Sequence, residues 1–170
     1  MNYKAGIITS NESDLSAMQE AINILKDYDI DFQTSIINKE KIAEQMPAIA
    51  KEMYATGVRV IIAGTRGNAN FSNTIASYFN IPTVGVPLRS EKSPNTLATV
   101  FSILQQPNEH AVANVALDGA QNAGILAVQI LALSDKALQN KILSFKENLK
   151  NKILKASQEL SQVKFEYKTN

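Results

Sequence analysis

Three polar segments of this chain hold the residues that could bind a small ligand, and each segment directly follows an apolar run. They span residues 10–14, 38–41 and 64–70. Loops that follow the strands of an open parallel sheet meet at one edge, where helix N-termini also favour negative charge. We therefore expect Lys39, Lys41 and Arg66 to converge there and to favour a small anionic ligand. The candidate ligand-binding residues are Ser10, Asn11, Ser13, Asp14, Asn38, Lys41, Gly64, Arg66, Gly67 and Asn70.

Each of these segments also has a simpler explanation. Ser13 and Asp14 stand before an apolar helical pattern, where they could act only as a helix cap. The segment 38–41 could be a solvated surface loop, and the glycines of 64–70 could serve only a tight turn. The chain has neither a Walker loop nor the glycine fingerprint of a dinucleotide site. The residues alone therefore indicate a small-ligand-binding domain and no particular reaction.

The elements that must position these segments alternate between short apolar runs and longer amphipathic stretches. Such alternation is typical of βαβ units and a parallel sheet. We predict strands at 5–9, 31–37, 58–63, 83–87 and 111–117. We predict a first helix that begins at Ser13 or Asp14, a turn at 64–68, and further helices at 42–53, 73–79, 96–105 and 120–133.

The residues beyond 134 follow a different pattern. One apolar stripe at helical spacing runs through residues 138–163 and predicts a single long helix. Because the α/β pattern is already complete, we expect this helix to pack on another subunit; the alternative is a helix folded back on its own core. The chain is thereby divided into an α/β domain at 1–134, a helix at 135–163 and a tail at 164–170.

The bulk composition narrows the class of protein. Of the 170 residues, 45% are hydrophobic and 19% are charged, and the net charge is +1. These values are ordinary for one globular domain, and the dispersed lysines give no reason to expect a nucleic-acid partner. The absence of cysteine excludes disulfides and thiolate metal sites and fits a reducing compartment. Since no apolar run approaches the roughly 20 residues of a membrane span, we expect a cytoplasmic protein without a membrane partner.

Five stretches of the chain share their order and content with a known family. They are Ala-Gly-Ile-Ile at 5–8 with Ser-Asp at 13–14, the run at 57–64, Ile-Pro-Thr-Val-Gly-Val-Pro at 81–87, Ser-Ile-Leu-Gln-Gln-Pro at 102–107 and the alanine-rich run at 122–133. Taken together, they resemble the class I carboxyaminoimidazole ribonucleotide mutases, often called the PurE family. The resemblance covers residues 4–134 in register, and the terminal helix fits it as well.

The resemblance implies an α/β fold with a flavodoxin-like, doubly wound parallel sheet in three αβα layers and a long C-terminal helix. It also implies a homo-octamer in which that helix reaches onto neighbouring subunits. Members of the family move a carboxylate from the exocyclic nitrogen of an aminoimidazole ribonucleotide to a ring carbon, in de novo purine biosynthesis. The reaction implied uses no metal and no organic cofactor, and one histidine transfers the proton.

The loops that carry this reaction in the family are altered here. The family's first loop reads Gly-Ser-x-Ser-Asp, and only Ser13 and Asp14 match it. The second loop, Ser-Ala-His-Arg, is replaced by Asn-Lys-Glu-Lys at 38–41, and the third, Gly-Ala-Gly-Gly-Ala-Ala-His, by residues 64–70. Both family histidines are therefore absent. The single histidine of the chain, His110, matches neither position.

The loss of both histidines bears directly on catalysis, because imidazole is the side chain that ordinarily titrates near neutral pH. Glu40 and Asp14 are the remaining candidates for a catalytic proton role, and a carboxyl group serves in it only where burial favours the protonated form. Lys41 could still hold a phosphate, and Arg66 in place of a family glycine should narrow the pocket.

We therefore expect a PurE-like protein that binds a phosphorylated small molecule, such as a nucleotide or an aminoimidazole ribonucleotide, with weak or no mutase activity. Two alternatives stay open. One is an active mutase with a rearranged site, and the other is a noncatalytic structural or regulatory subunit.

Overall fold

The computed structural model describes residues 4–66, 70–89 and 110–161. Within them a parallel sheet is built from β1 (Lys4–Thr9), β2 (Asp31–Ile36), β3 (Val58–Arg66), β4 (Thr83–Leu88) and β5 (Val112–Asn114). The spatial order is β2-β1-β3-β4-β5, and every neighbouring pair runs parallel. This order confirms the predicted doubly wound, flavodoxin-like sheet.

Helices connect the strands and cover both faces of the sheet. They are α1 (Glu12–Ala17), α2 (Gln19–Asp27), α3 (Ile42–Ala55), α4 (Phe71–Ala76), α5 (Ala120–Ala132) and α6 (Lys136–Ser161), with a short 3-10 turn at Lys39–Lys41. The three predicted layers and the long C-terminal helix are therefore present. The predicted helix at 96–105 and the predicted tail at 164–170 lie outside the described residues.

The side chains of the central strands divide between two hydrophobic cores, because successive residues of a strand point to opposite faces. Ile7 and Ile62 pack on one face with α2 and α5, and Ile8 and Ile61 pack on the other with α3 and α4. All four side chains are completely buried. A sheet covered on both faces explains why its central strands read as continuous apolar runs in the sequence.

β3 is longer than the sequence predicts. The predicted turn at 64–68 is wrong in its first three residues, because Thr65 and Arg66 keep pairing with Pro87 and Leu88 of β4. Gly64 instead permits a close approach, since a Cβ atom there would lie 2.6 Å from the sulfur of Met18. Alternation along the strand then directs Arg66 to the same face as Gly64, toward α1.

The chain after β1 also differs from expectation. Its helical segment is divided at Met18 into α1 and α2. The N-cap of α1 is Asn11, whose side chain accepts a hydrogen bond from the Asp14 amide at 2.8 Å; neither Ser13 nor Asp14 is the cap. This arrangement places Asp14 inside the first helical turn and leaves its carboxylate to contact other loops.

The first turns of α6 pack on the α/β domain of the same chain. Leu138 is buried, and Phe145 packs against Tyr28 with a distance of 5.9 Å between ring centroids. Beyond this contact, Leu149 is 50% exposed and Ile153 is 61% exposed. The alternative of a helix folded back on its own core therefore holds for the start of α6, and the apolar stripe beyond it is open to a partner.

Gly124 allows a close packing of two helices, at the point where α5 crosses α2. A Cβ atom on Gly124 would lie 2.9 Å from the Cβ atom of Ile24 and 3.1 Å from the Cα atom of Ala21. We expect Gly124→Ala to lower the free energy of unfolding, because overpacking against such unyielding atoms costs about 1–3 kcal/mol. That cost exceeds the roughly 0.5–1 kcal/mol that alanine gains over glycine in a helix.

Denaturant titration measures this effect directly. The matched control is Gln121→Ala at an exposed position of the same helix, which should stay within about 0.5 kcal/mol of the parent chain. A Gly124→Ala protein as stable as the parent would show that α2 and α5 are not in close contact.

The start of α6 is also fixed to the turn after α2 by an ion pair. Lys141 Nζ lies 2.7 Å from Asp29 Oδ2, and the hydrogen bond and charge of Lys141 lower the pKa of Asp29. Because this pKa is lower in the folded state, the stabilisation exists at neutral pH and is lost as the pH falls through the folded-state pKa. We expect Lys141→Ala to raise the pKa of Asp29, as followed by NMR of the carboxyl carbon.

The control for this titration is Lys146→Ala, an exposed lysine on the same helix. It should leave the Asp29 titration unchanged. An Asp29 pKa that does not move in Lys141→Ala would mean that the ion pair does not form in solution.

Candidate functional site

The candidate site lies at the carboxyl edge of the sheet, between β1 and β3. In the order β2-β1-β3-β4-β5, the chain leaves β1 toward one side and β3 toward the other. In open parallel sheets this reversal marks the crevice in which ligands bind. β1 leads into the polar segment 10–14, and β3 ends at Arg66. The fold thus brings these two predicted segments together at the place where ligands bind in sheets of this kind.

Asp14 is the charged residue at the centre of the crevice, and its side chain is completely buried. Its Oδ2 atom accepts hydrogen bonds from Ser10 Oγ at 2.5 Å and from Asn11 Nδ2 at 3.0 Å. Thr65 Oγ1 and the Arg66 amide donate to the same oxygen at 3.3 and 3.4 Å. A buried carboxylate needs such partners, because its transfer from water without them is very unfavourable.

Arg66 supplies the opposite charge. Its Nη1 atom lies 2.7 Å from Asp14 Oδ1 and 3.3 Å from Ser13 Oγ, and its Nε atom donates to the Arg89 carbonyl at 3.0 Å. The Arg66 side chain remains 33% exposed. The Arg66 guanidinium group therefore connects the end of β3 to the segments that follow β1 and β4, while part of it still faces solvent.

The segment after β2 closes the other side of the crevice. Asn38 Oδ1 accepts a hydrogen bond from the Glu40 amide at 2.9 Å, which begins the 3-10 turn. Lys39 Nζ donates to the Arg66 carbonyl at 2.9 Å and so joins this turn to the end of β3. Glu40 and Lys41 are exposed on the same turn. Of the three predicted cations, Lys39 and Arg66 are thus brought together, and Lys41 stands on the adjoining surface.

The remaining predicted residues occupy different places. Ser10 belongs to the central network, with its Oγ atom 2.8 Å from Thr65 Oγ1. Asn70 precedes α4, and its carbonyl accepts a hydrogen bond from the Thr74 amide. Gly67 lies outside the described residues. His110 is exposed just before β5, which lies two strands away from β3.

Two residues of the site are missing from the sequence-based prediction. Thr65 falls in the predicted turn, although its place within β3 brings its hydroxyl to Asp14. Arg89 follows β4 directly and pairs with Asp118 at 3.5 Å, while its carbonyl receives Arg66. Its position two residues after the fourth predicted strand was the available signal, because residues that follow the strands of a parallel sheet lie at the same edge.

The described residues give no sign of a metal centre or a membrane span. Within 4–66, 70–89 and 110–161, no three histidine, cysteine, aspartate or glutamate side chains cluster as metal ligands would. No helix among these residues is both long enough and apolar enough to cross a bilayer.

Comparison with known sequences identifies a family and several proteins to which this chain is similar. The family described as AIR carboxylase matches residues 4–152. The N5-carboxyaminoimidazole ribonucleotide mutase of Thermotoga maritima is 36% identical over 160 residues, covering 94% of this chain and 93% of that protein. The protein of the same name from Saccharolobus solfataricus is 38% identical over 151 residues, covering 89% of this chain and 95% of that protein.

Solved structures agree on the fold. The crystal structure of Treponema denticola PurE superimposes with a TM-score of 0.80 at 23% sequence identity, covering 94% of this chain and 99% of that one. The sheet order, the family match and relatives that span nearly the whole chain lead to one assignment. The protein belongs to the AIR carboxylase, or PurE, family and is related to the N5-carboxyaminoimidazole ribonucleotide mutases of purine biosynthesis.

Proposed function

We propose that this chain binds a phosphorylated small molecule or nucleotide in the crevice between β1 and β3, with weak or no mutase activity, and that it works as a cytoplasmic homo-octamer. The observation that carries the proposal is the ion pair at 2.7 Å between the buried carboxylate of Asp14 and the partly exposed side chain of Arg66. Asp14, the acidic residue that the first loop shares with the family, is thereby held in an ion pair with Arg66. The pair also places a cation at the mouth of the crevice.

The arrangement of acidic groups supports weak mutase activity. A residue that transfers a proton must reach the reacting atom and exchange its own proton. Asp14 is completely buried and its carboxylate is paired with Arg66, so it is poorly placed for either task. Glu40 is exposed on the 3-10 turn and lies on the surface of the protein. His110 stands before β5, at a distant strand of the sheet.

The arrangement of cations supports an anionic ligand. Arg66 presents a planar, partly exposed guanidinium group, the geometry that suits phosphate and carboxylate oxygens. Lys39 is anchored beside it through the Arg66 carbonyl, and Lys41 is exposed on the same turn. Because Glu12 and Glu40 are also exposed at this edge, affinity would come from the anchored donors rather than from a general positive field.

The relatives favour a second candidate, an active mutase with a rearranged site. Proteins named N5-carboxyaminoimidazole ribonucleotide mutase match nearly the whole chain. Such activity would need Glu40 to be buried by ligand or a neighbouring subunit, or Asp14 to be released from Arg66. Either event changes the environment that the described residues now provide.

The open surface of α6 supports the proposed assembly. Leu143, Leu149 and Ile153 are each at least half exposed, at 63%, 50% and 61%. They stand on the part of the helix that leaves its own domain, where a contact with another subunit would remove them from water. Burial of side chains of this size is a major source of stability in permanent oligomers.

Mutase turnover separates the two candidates. We expect the purified protein to convert N5-carboxyaminoimidazole ribonucleotide, followed by absorbance, no faster than the uncatalysed reaction, because no described group is placed to carry the proton. Clear turnover that disappears in Glu40→Gln but persists in Glu44→Gln, an exposed change on α3, would establish the second candidate in place of the first.

Calorimetric titration with ribose 5-phosphate tests ligand binding. We expect Arg66→Ala to weaken binding about tenfold or more, because a hydrogen bond to a charged group is worth about 1.5–3 kcal/mol. Lys41→Ala should weaken it less, since a lysine acts as a flexible point charge. The control is Lys51→Ala, an exposed lysine on α3 away from the crevice. Equal affinities for the Arg66 variant and the control would place the ligand elsewhere.

A further inference from the structure

Both carboxylate oxygens of Asp14 already accept hydrogen bonds within the protein. A carboxylate offers about four lone-pair positions. Oδ2 receives Ser10 and Asn11 at 2.5 and 3.0 Å, with Thr65 and the Arg66 amide at 3.3 and 3.4 Å. Oδ1 receives the Arg66 guanidinium at 2.7 Å. The side chain has no exposed surface. A ligand hydroxyl therefore could not reach this carboxylate unless Arg66 moved away from a buried charge.

In contrast, some hydrogen-bond donors of Arg66 and Lys39 have no partner among the described residues. The bonds made by Arg66 use its Nε and Nη1 atoms, and among the described parts of the chain Nη2 has no hydrogen-bond partner. The Lys39 ammonium group carries three N–H donors, of which one is directed to the Arg66 carbonyl. The Arg66 side chain is 33% exposed, and Lys39 is exposed. The crevice thus presents cationic donors to a ligand, whereas the buried Asp14 carboxylate is not accessible.

We infer that the Asp14–Arg66 pair determines the specificity of the crevice: Asp14 is a positioning residue that fixes Arg66, and the ligand is selected by its anionic group without recognition of its sugar hydroxyls. The inference rests on the proposed function and adds the class of ligand to it. A ligand would dock its phosphate or carboxylate on Arg66 and Lys39. Removing a hydroxyl group from the sugar would then leave the affinity of the ligand unchanged.

Two sugar phosphates that differ by one hydroxyl test this inference by calorimetric titration. For the parent protein we expect ribose 5-phosphate and 2-deoxyribose 5-phosphate to bind with dissociation constants within about threefold of each other, less than the effect of one hydrogen bond to a charged group. In Arg66→Gly the Asp14 carboxylate loses its ion pair and opens to the crevice. We therefore expect that variant to bind ribose 5-phosphate about tenfold more tightly than the deoxy sugar.

The control is again Lys51→Ala, which should keep the ratio of the parent protein. A parent protein that already prefers ribose 5-phosphate by tenfold would overturn the inference and leave the proposed function standing. This comparison needs no variant and so does not depend on the folding of Arg66→Gly. A folded Arg66→Gly protein that binds both sugars with the ratio of the parent protein would also overturn it. If the parent protein binds neither sugar phosphate, the proposed function fails and the inference fails with it.

Discussion

The burial of one carboxylate, that of Asp14, is the constraint on which the described crevice depends. A charge without solvent is tolerated only when hydrogen bonds and an opposite charge replace the water, and here they come from segments that are distant in sequence. Ser10 and Asn11 lie beside Asp14 in the chain, whereas Thr65 and Arg66 come from the end of β3. The hydrogen bonds and the ion pair of Asp14 therefore link the ends of β1 and β3, the neighbouring strands from which the chain leaves toward opposite sides.

The close packing and the register of the sheet fix the positions of the residues in this network. The glycines at 64 and 85 stand where a Cβ atom would overlap a neighbouring side chain, Met18 for Gly64 and Asn114 for Gly85. Glycine at these points lets Met18 pack on β3 and Asn114 of β5 pack beside β4, and β3 and β4 stay in register up to Arg66 and Leu88. A one-residue change of register would turn Arg66 to the opposite face, away from Asp14.

The scaffold and the loops of this family member meet different physical requirements. The hydrophobic cores on both faces of the sheet depend on apolar residues of suitable volume, a requirement that many related sequences can meet. The loops at the carboxyl edge carry the polar groups of the crevice, and loops can change while the cores persist. Family membership therefore describes how this chain folds, whereas its ligand must be argued from the Asp14–Arg66 pair and the lysines around it.

The sequence by itself determined the α/β class, the approximate positions of the sheet strands and the long terminal helix, because apolar periodicity reports burial directly. It also identified Asp14, Lys39 and Arg66 as residues of one sheet edge, since all three follow predicted strands. The end of β3 was assigned wrongly, because it depends on pairing with β4 that local propensity does not contain. The helix cap was assigned to Ser13 or Asp14, although Asn11, the residue that forms it, is also of a favoured N-cap type. Only the tertiary structure decided that Arg66 neutralises Asp14, because the strand alternation and register that aim the guanidinium arise when β3 pairs with its neighbours.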